Sequence, residues 1–586
     1  MAVESRICLS NGLPRLMVNG KSVATMAYIT YFTERNHYQD FADAGYKLFS
    51  LPVYFGGRGT NPVSHVSPIS KGIFDTKGKA DFGILDREVR RVLEAAPNAI
   101  IFPRVDMMMP EWWCEENPLE CNDMGCDGDP ARECFASLKW REDAGNMLRQ
   151  FIAHIEASDY CDHIVGYHIS DGSTEEWFPF DQKGGVGPAS REGFKQRFGR
   201  NGTREQWLRY LSETVAEAIA CFAAIAKECT QRRLVVGCFY GYTLEVVEWE
   251  RGHHAAEMLL DCPDVDFFCS PSSYIGGRPA GRDWPAMTAV DSIILHGKMS
   301  FVEYDTRTHL SRPLREARPD GCVPGTYEGG VWEGPKDPQV TRWLLKNNAA
   351  RQLTHGNASW WFDMWGGWYA EEDMMSDLAM YRKYVEESLD DPRVEESQVA
   401  VLADEEGYSL LPQDRGGAGS CCYMSREPLG LSGVPYAHYQ MGDFDAIRDR
   451  YKAFIFLAPV CTRRMEAAMA YCRENRIPYY KVDPETTPLR TDALREFYHR
   501  SNVHIWCETD DVVYAGNGWL SIHAASAGEK KLYLPEGGCT DGCTESWTLE
   551  EVEGAGTKIG TGVVKDNVLY LDMQQFETRL FRMKRI

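Results

Sequence analysis

The runs ATMAYITYF (24–32), YKLFSLPVYF (46–55) and AIIFPRVDM (99–107) open a series in which a short apolar or aromatic segment, a polar loop and a helix-like stretch follow one another. HIVGYHIS (163–170), LVVGCFYGY (234–242), VDFFCSPSSY (265–274), MSFVEYDT (299–306) and ASWWFDMW (358–365) continue it, eight runs in all. A strand buried on both faces reads as such a run, and its alternation with helices marks a parallel sheet. The helical patterns between the runs include LDREVRRVLEAA (85–96) and the long WLRYLSETVAEAIACFAAIAKEC (207–229). Eight βα units predict an α/β fold whose core is a closed (β/α)8 TIM barrel.

Working outward, PRLMVNGKSV (14–23) reads as a hairpin around Asn19-Gly20, expected to close the barrel end away from the active site. The stretches 108–135 and 173–204 are long, polar and follow predicted strands, so both belong on the catalytic face. After YRKYVEESLDDP (381–392) the pattern changes: SQVAVLADEEGYSLL (397–411) and KAFIFLAPV (452–460) are β-runs, followed by the helical TRRMEAAMAYCRENR (462–476) and IPYYKVD (477–483). That is a small doubly wound α/β domain, and it lacks both G-x-G-x-x-G after its first strand and a phosphate-binding loop. From Asp511 onward VVYAGNGWLSIHAAS, KKLYLP, WTLEEV and NVLYLDM alternate in period two, the mark of a small antiparallel β domain. The expected divisions are 1–392, 393–510 and 511–586.

Composition narrows the function. Of 586 residues, 44% are hydrophobic and 25% charged, as in globular proteins that bury a large core. The 86 acids against 63 bases give a net charge of −23, a field that repels nucleic acid, and no basic patch offsets it. No apolar run approaches the roughly 20 residues of a membrane span, and MAVESRICLSNGLPRL has no basic-then-apolar leader, so the expected location is cytoplasmic. The 19 cysteines are odd in number and scattered, which suits reduced thiols. Cys114, Cys121, Cys126 and Cys134 are spaced by seven, five and eight, unlike a C-x-x-C zinc knuckle, and no metal or cofactor is expected.

In such barrels the active site is built from strand C-termini, so the polar residues just after each run are the candidates. They are Arg104 and Asp106 on the third, Asp171, Glu175 and Glu176 on the fourth, Tyr240 and Tyr242 on the fifth, and Tyr274 on the sixth. The seventh adds Glu303, Asp305, Arg307 and His309, and the eighth Asp363, Trp365 and Trp368. Paired carboxylates flanking an acetal oxygen are what glycoside hydrolysis requires, and indole faces suit the C–H-rich faces of sugars. Alternation sends about half of Trp360, Trp361, Trp365 and Trp368 outward, leaving Trp365 and Trp368 as the expected sugar platforms. Trp112 and Trp113 either wall the site or pack their own loop, and His253-His254 reads as a helix-surface or packing feature. A metal-dependent amidohydrolase is disfavoured, because the first strand carries no H-x-H.

GYHISDGSTEEWF (166–178) resembles the fourth-strand acid/base segment of retaining (β/α)8 glycoside hydrolases related to family 42 β-galactosidases, and FVEYDTRTH (301–309) resembles their nucleophile segment. β-Mannosidases of a similarly arranged family are an equal comparison. The order barrel, flavodoxin-like trimerisation domain, small β domain is similar too, and implies a homo-oligomer, a trimer by resemblance. Where such enzymes carry Asn before the acid/base glutamate, this chain has Thr174 and Glu175 ahead of Glu176. The resemblance implies Glu303 as nucleophile and Glu176 as acid/base, with Glu175 the alternative, since neighbours on an extended segment point opposite ways. It also implies a retaining exo-β-glycosidase acting on a carbohydrate substrate, contacted by Arg104, Asp106, Asp171, Glu175, Tyr240, Tyr274, Asp305, Arg307, His309, Trp365 and Trp368. The alternatives are a non-catalytic carbohydrate-binding barrel and an endo-acting polysaccharide hydrolase.

Overall fold

All eight apolar runs form strands: β1 (Met26–Ile29), β2 (Leu48–Tyr54), β3 (Ile100–Asp106), β4 (Gly166–Ser170), β5 (Val235–Phe239), β6 (Phe267–Pro271), β7 (Met299–Tyr304) and β8 (Ala358–Phe362). They pair in parallel in sequence order, and β8 returns to β1, closing the barrel. The computed structural model describes residues 2–58, 69–123, 132–181, 183–319, 325–411, 419–535, 547–552, 554 and 563–585. Aromatic side chains fill the barrel interior: Phe102, Phe267, Phe301 and Trp360 meet at ring separations of 5.3–6.1 Å. The barrel is therefore a packed core, and the buried His168 ring lies within it, 6.0 Å from Phe267 and 5.5 Å from Trp360.

Two of the long helices start where the sequence supplies caps. Arg204–Cys229 begins with a reciprocal box, in which Thr203 Oγ1 accepts from Gln206 N (3.2 Å) and Gln206 Oε1 from Thr203 N (2.9 Å). Pro338–His355 opens on Asp337 with proline in its first turn. At the N-terminus Ser5–Ser10, Leu13–Val18 and Lys21–Ser22 form a three-stranded antiparallel sheet. Asn19 and Gly20 both take positive φ, 48° and 77°, as a tight hairpin turn needs. Ser5 N donates to Arg233 O (2.8 Å) and Val235 N to Ser5 Oγ (3.0 Å), so this sheet sits against the strand N-termini, opposite the candidate residues.

Val399–Ala403, Tyr436–Gln440, Ala453–Leu457 and Tyr479–Val482 form a parallel sheet in which the second strand lies outside the first and the third and fourth follow on its other side. Alternate residues of the first strand enter two separate cores, Val399 and Val401 on one face, Ala400 and Leu402 on the other. YAHYQ (436–440) is a strand absent from the apolar-run reading, because His and Gln interrupt it. Beyond it, Val512–Gly516, Trp519–His523, Thr578–Arg585 and Trp547–Glu551 make one antiparallel sheet, and Gly528–Tyr533, Val568–Met573 and Val563–Lys565 another. His253 and His254 are not on a helix: they lie in the loop ahead of Ala256–Leu260.

Candidate active site

The segment after β4 is a tight turn and not the extended stretch expected of it. Ser173 and Phe178 bridge, Trp177 N donates to Asp171 O (2.7 Å), and Thr174, Glu175 and Trp177 take φ of 60°, 67° and 59°. Left-handed backbone at non-glycine residues is strained, and three cases within four residues persist only where surrounding contacts hold them. Here Trp177 is fully buried, its Nε1 donating to Ile169 O (3.2 Å), and His253 Nε2 lies 2.8 Å from Glu176 O. That histidine is itself buried beside Phe178 and Tyr242, each with ring centroids 4.5 Å away. Burial pushes its pKa down to about 3, so it stays neutral and donates from Nε2.

The turn separates the two neighbouring glutamates. Glu175 is fully buried, accepting from Tyr54 Oη (2.6 Å) and lying 3.4 Å from Arg104 Nη1. Glu176 is partly open to solvent; its Oε1 accepts from Tyr242 Oη (2.9 Å) and its Oε2 from Thr174 Oγ1 (2.6 Å). At the end of β7, Glu303 Oε2 accepts from Arg104 Nη2 and Trp360 Nε1, both at 2.8 Å. Arg104 thus bridges Glu175 and Glu303, its guanidinium caged by the rings of Phe239, Phe362 and Trp360 at 4.7–5.3 Å.

Burial and the Glu303 charge push the Glu176 pKa up to about 8. Burial also raises Glu303, to about 7, against the opposing pull of Arg104 and the Trp360 bond. Burial alone would raise Asp305, but Arg278 and Arg307 outweigh it and hold it at about 2. Two carboxyl groups that titrate near neutrality, one of them beside a fixed cation, are equipped for proton transfer and nucleophilic attack.

The other candidates divide. Tyr274 Oη donates to Asp305 Oδ2 (2.7 Å), and Arg307 binds the same carboxylate (2.5 Å) while stacking over Trp332 at 4.3 Å. Trp365 and Trp368 meet edge to face at 6.3 Å, with Trp365 stacked on Tyr31. Asp106 and Asp171 are fully buried and accept from Met108 N (2.9 Å) and Gly172 N (2.5 Å), so they cap backbone where sugar contacts were expected. Tyr240 is likewise turned away: its hydroxyl has two carbonyl acceptors in reach, Gly252 O (2.8 Å) and Ser212 O (3.0 Å). His309 meets Thr341 (3.3 Å) and Glu371 (3.1 Å), bracing its loop. Asp363 caps the turn at Gly367 and Trp368, at 2.9 and 2.8 Å. Of the doubled tryptophans, Trp360 faces Glu303 and Trp361 turns outward to Tyr46 Oη (2.8 Å). Trp113 is buried and bonds Asp143 (2.7 Å) on the helix Leu138–Glu156.

Tyr31 and Tyr54 were missed from the sequence, and His253, read there as a helix-surface or packing feature, was not connected with Glu176. Tyr31 and Tyr54 are C-terminal residues of apolar runs, and position after the strand was the only signal that could have marked them. Among the described residues no group of three or more His, Cys, Asp or Glu side chains is arranged to hold a metal ion, and the described cysteines are free. Cys126 lies outside the described residues. No helix among the described residues is long and apolar enough to cross a membrane.

No family model matches the chain and no curated protein matches it. Among solved structures the chain is similar to the β-galactosidase from Bacillus circulans sp. alkalophilus, at 12% identity and a TM-score of 0.57 over 95% of this chain and 98% of that one. It is similar to the β-galactosidase from the psychrophilic Marinomonas ef1, at 11% and 0.55 over 95% and 99%. It is also similar to the apo exo-carrageenase GH42 from Bacteroides ovatus, at 9% and 0.55 over 99% and 85%. Across nearly its whole length, the chain resembles the family 42 β-galactosidases and related glycosidases in fold.

Proposed function

We propose that the protein is a glycoside hydrolase, a retaining exo-β-glycosidase in which Glu303 is the nucleophile and Glu176 the acid/base. The observation that carries this reading is the unlike treatment of two carboxyls near enough for the charge of Glu303 to raise Glu176. Glu303 is anchored by Arg104 and Trp360 at 2.8 Å each, whereas Glu176 has only neutral hydroxyl partners and a pKa raised to about 8. In the first step Glu303 attacks the anomeric carbon while Glu176 gives its proton to the departing oxygen. In the second, Glu176 takes a proton from water, which displaces Glu303 and releases the sugar with its β configuration. Glu175, paired with Arg104 and closed off from solvent, serves as the counter-charge that keeps Arg104 in place.

The likeness in fold to β-galactosidases and to an exo-carrageenase agrees with a carbohydrate substrate. The division at 393 and 511, a cytoplasmic location and a trimer built through the central α/β unit belong to this proposal. Release of nitrophenol from a panel of nitrophenyl β-galactoside, mannoside, glucoside, xyloside, fucoside and glucuronide tests it. Turnover of one β-glycoside that Glu303→Ala abolishes, with azide restoring activity as the inverted glycosyl azide, is the expected result. Sugar binding without turnover in the wild type, unchanged in Glu303→Gln, would instead favour a binding barrel without catalysis.

A further inference from the structure

Asp305 lies between two guanidinium groups, Arg278 and Arg307. Beside them Arg426 pairs with Glu245, whose carboxylate also accepts from Ser273 Oγ (2.8 Å) and Tyr274 N (3.1 Å). Three buried arginines thus share two carboxylates, and a buried cation without its own counter-anion is costly.

Hydrogen bonding locates the free donors. Arg278 commits Nε to Ser273 O (3.0 Å), Nη1 to Asp305 and Nη2 to Ser272 O (2.5 Å). Arg426 leaves only Nη1 unpartnered. Arg307 commits Nη1 alone, to the carbonyl (2.7 Å) and carboxylate (2.5 Å) of Asp305, and leaves both Nε and Nη2 buried without an acceptor. Those two nitrogens lie side by side on one edge of the guanidinium plane, the edge that grips a carboxylate or sulfate through two parallel bonds. Trp332 and Trp368, 4.3 and 5.3 Å from the guanidinium carbon, hold the plane in place but accept no such bond.

Arg307 and Arg278 also line a cavity of about 580 Å³ between the loops that follow β6 and β7. Trp284, Leu344 and Phe576 give it an apolar wall, Lys336 adds a cation, and the acids on it are Glu333 and Asp337, the latter capping Gln339 N (2.8 Å). Its volume lies within the roughly 300–1,000 Å³ of ligand sites.

We propose that the glycoside bears an anionic substituent, a carboxylate or a sulfate ester, and that it docks on the Nε/Nη2 edge of Arg307. The inference rests on the glycosidase reading for its sugar but not for its charge. Isothermal titration of the full chain carrying Glu303→Gln tests it, with galacturonate, glucuronate, galactose 4-sulfate and galactose 6-sulfate set against galactose and glucose. At least one anion is expected to bind about tenfold or more tighter than its neutral parent, with the advantage shrinking at high ionic strength. Uronates and sulfates separate the two sources of charge.

Adding Arg307→Gln should erase the advantage, while Arg307→Lys, which keeps charge without the fork, should retain part of it. Lys336→Gln, at an exposed position that does not threaten folding, should weaken anion binding about two- to threefold. Equal or tighter binding of the neutral sugars, no binding of any anion, or an anion preference that survives Arg307→Gln would each overturn the proposal. Anion binding without turnover of any β-glycoside would sink the hydrolase reading and leave this one standing. Turnover of neutral glycosides with no anion preference would do the reverse.

Discussion

Glu176 and Glu303 share a chemistry and differ in surroundings, and that difference predicts a pH profile. Glu303 must be ionised to attack, so activity should fall on the acid side as it takes up a proton near pH 7. Glu176 must be protonated to assist departure, so activity should fall on the alkaline side as it loses its proton near pH 8. The kcat/KM profile is expected to be a narrow bell between these values, with both limbs belonging to the interacting pair. Glu176→Gln, assayed with a dinitrophenyl glycoside that needs no acid, should lose the alkaline limb. Glu175→Gln should keep turnover within about tenfold and move the acid limb to lower pH, because Arg104 then serves Glu303 alone. Loss of turnover with poor leaving groups in Glu175→Gln would transfer the acid role to Glu175.

The same shift makes a stability prediction of defined sign. A carboxyl whose folded pKa lies above its unfolded 4.5 holds a proton that the unfolded chain has released, so it lowers stability as pH rises from about 4.5 to about 8. Glu176→Gln should therefore be more stable than the parent above pH 8, by about 1–3 kcal/mol, and indistinguishable near pH 4. Denaturant midpoints at the two pH values measure it. The paired glutamates were legible in the sequence because strand ends are where barrel chemistry sits. The partner of Arg104 was not, since Thr174-Glu175-Glu176 gives no sign that the backbone reverses there.

At the scale of elements, the barrel strands were legible for the reason they are stable: both faces are buried, so each reads as an unbroken apolar run. The strands at 436–440 and 578–585 were not, because YAHYQ and TRLFRMKR place polar or charged residues at positions that tertiary partners satisfy, such as Arg579 against Glu551. The turn after β4 depends on such a distant partner, His253, seventy-seven residues on. Removing its bond to Glu176 O forfeits about 0.5–1.5 kcal/mol of support for a strained turn. His253→Ala is expected to cut kcat about tenfold with KM changed less than about threefold, and to move the alkaline limb toward the ordinary carboxylate range as Glu176 gains water. His253→Gln, which keeps a donor, should recover much of the loss. An unchanged pH profile in His253→Ala would make the histidine a packing residue only.

At the scale of the whole molecule, the C-terminal β unit and the active site meet on one loop. The segment after β6 carries Tyr274 and Arg278, and its far side is clamped to the antiparallel sheets: Gly281 N donates to His523 Nε2 (2.8 Å), and Asp283 binds Arg351 and Tyr514 Oη, the latter at 2.7 Å. Burial keeps His523 neutral, its pKa pushed down to about 4, so Nε2 is free to accept while Nδ1 bonds Thr578 Oγ1 (2.8 Å). Arg351 belongs to the helix after β7, which makes Asp283 the point where barrel, loop and β unit share one charge pair. Asp283→Ala leaves Arg351 buried without its counter-charge, a loss of about 3–5 kcal/mol, whereas Tyr514→Phe removes the hydroxyl that bonds Asp283 (2.7 Å) and Arg351 (2.8 Å), a loss of about 1.5–3 kcal/mol. The double variant should fall short of the sum of the two, because both act on one network. If the loop transmits the clamp to the sugar, kcat/KM for Asp283→Ala should fall at temperatures well below its unfolding midpoint, with the change mainly in KM because Tyr274 and Arg278 bond Asp305, the partner of Arg307, and not the glutamates. Melting curves and Michaelis constants of the three variants decide it: a lowered midpoint with unchanged KM would confine the cluster to holding the β unit in place.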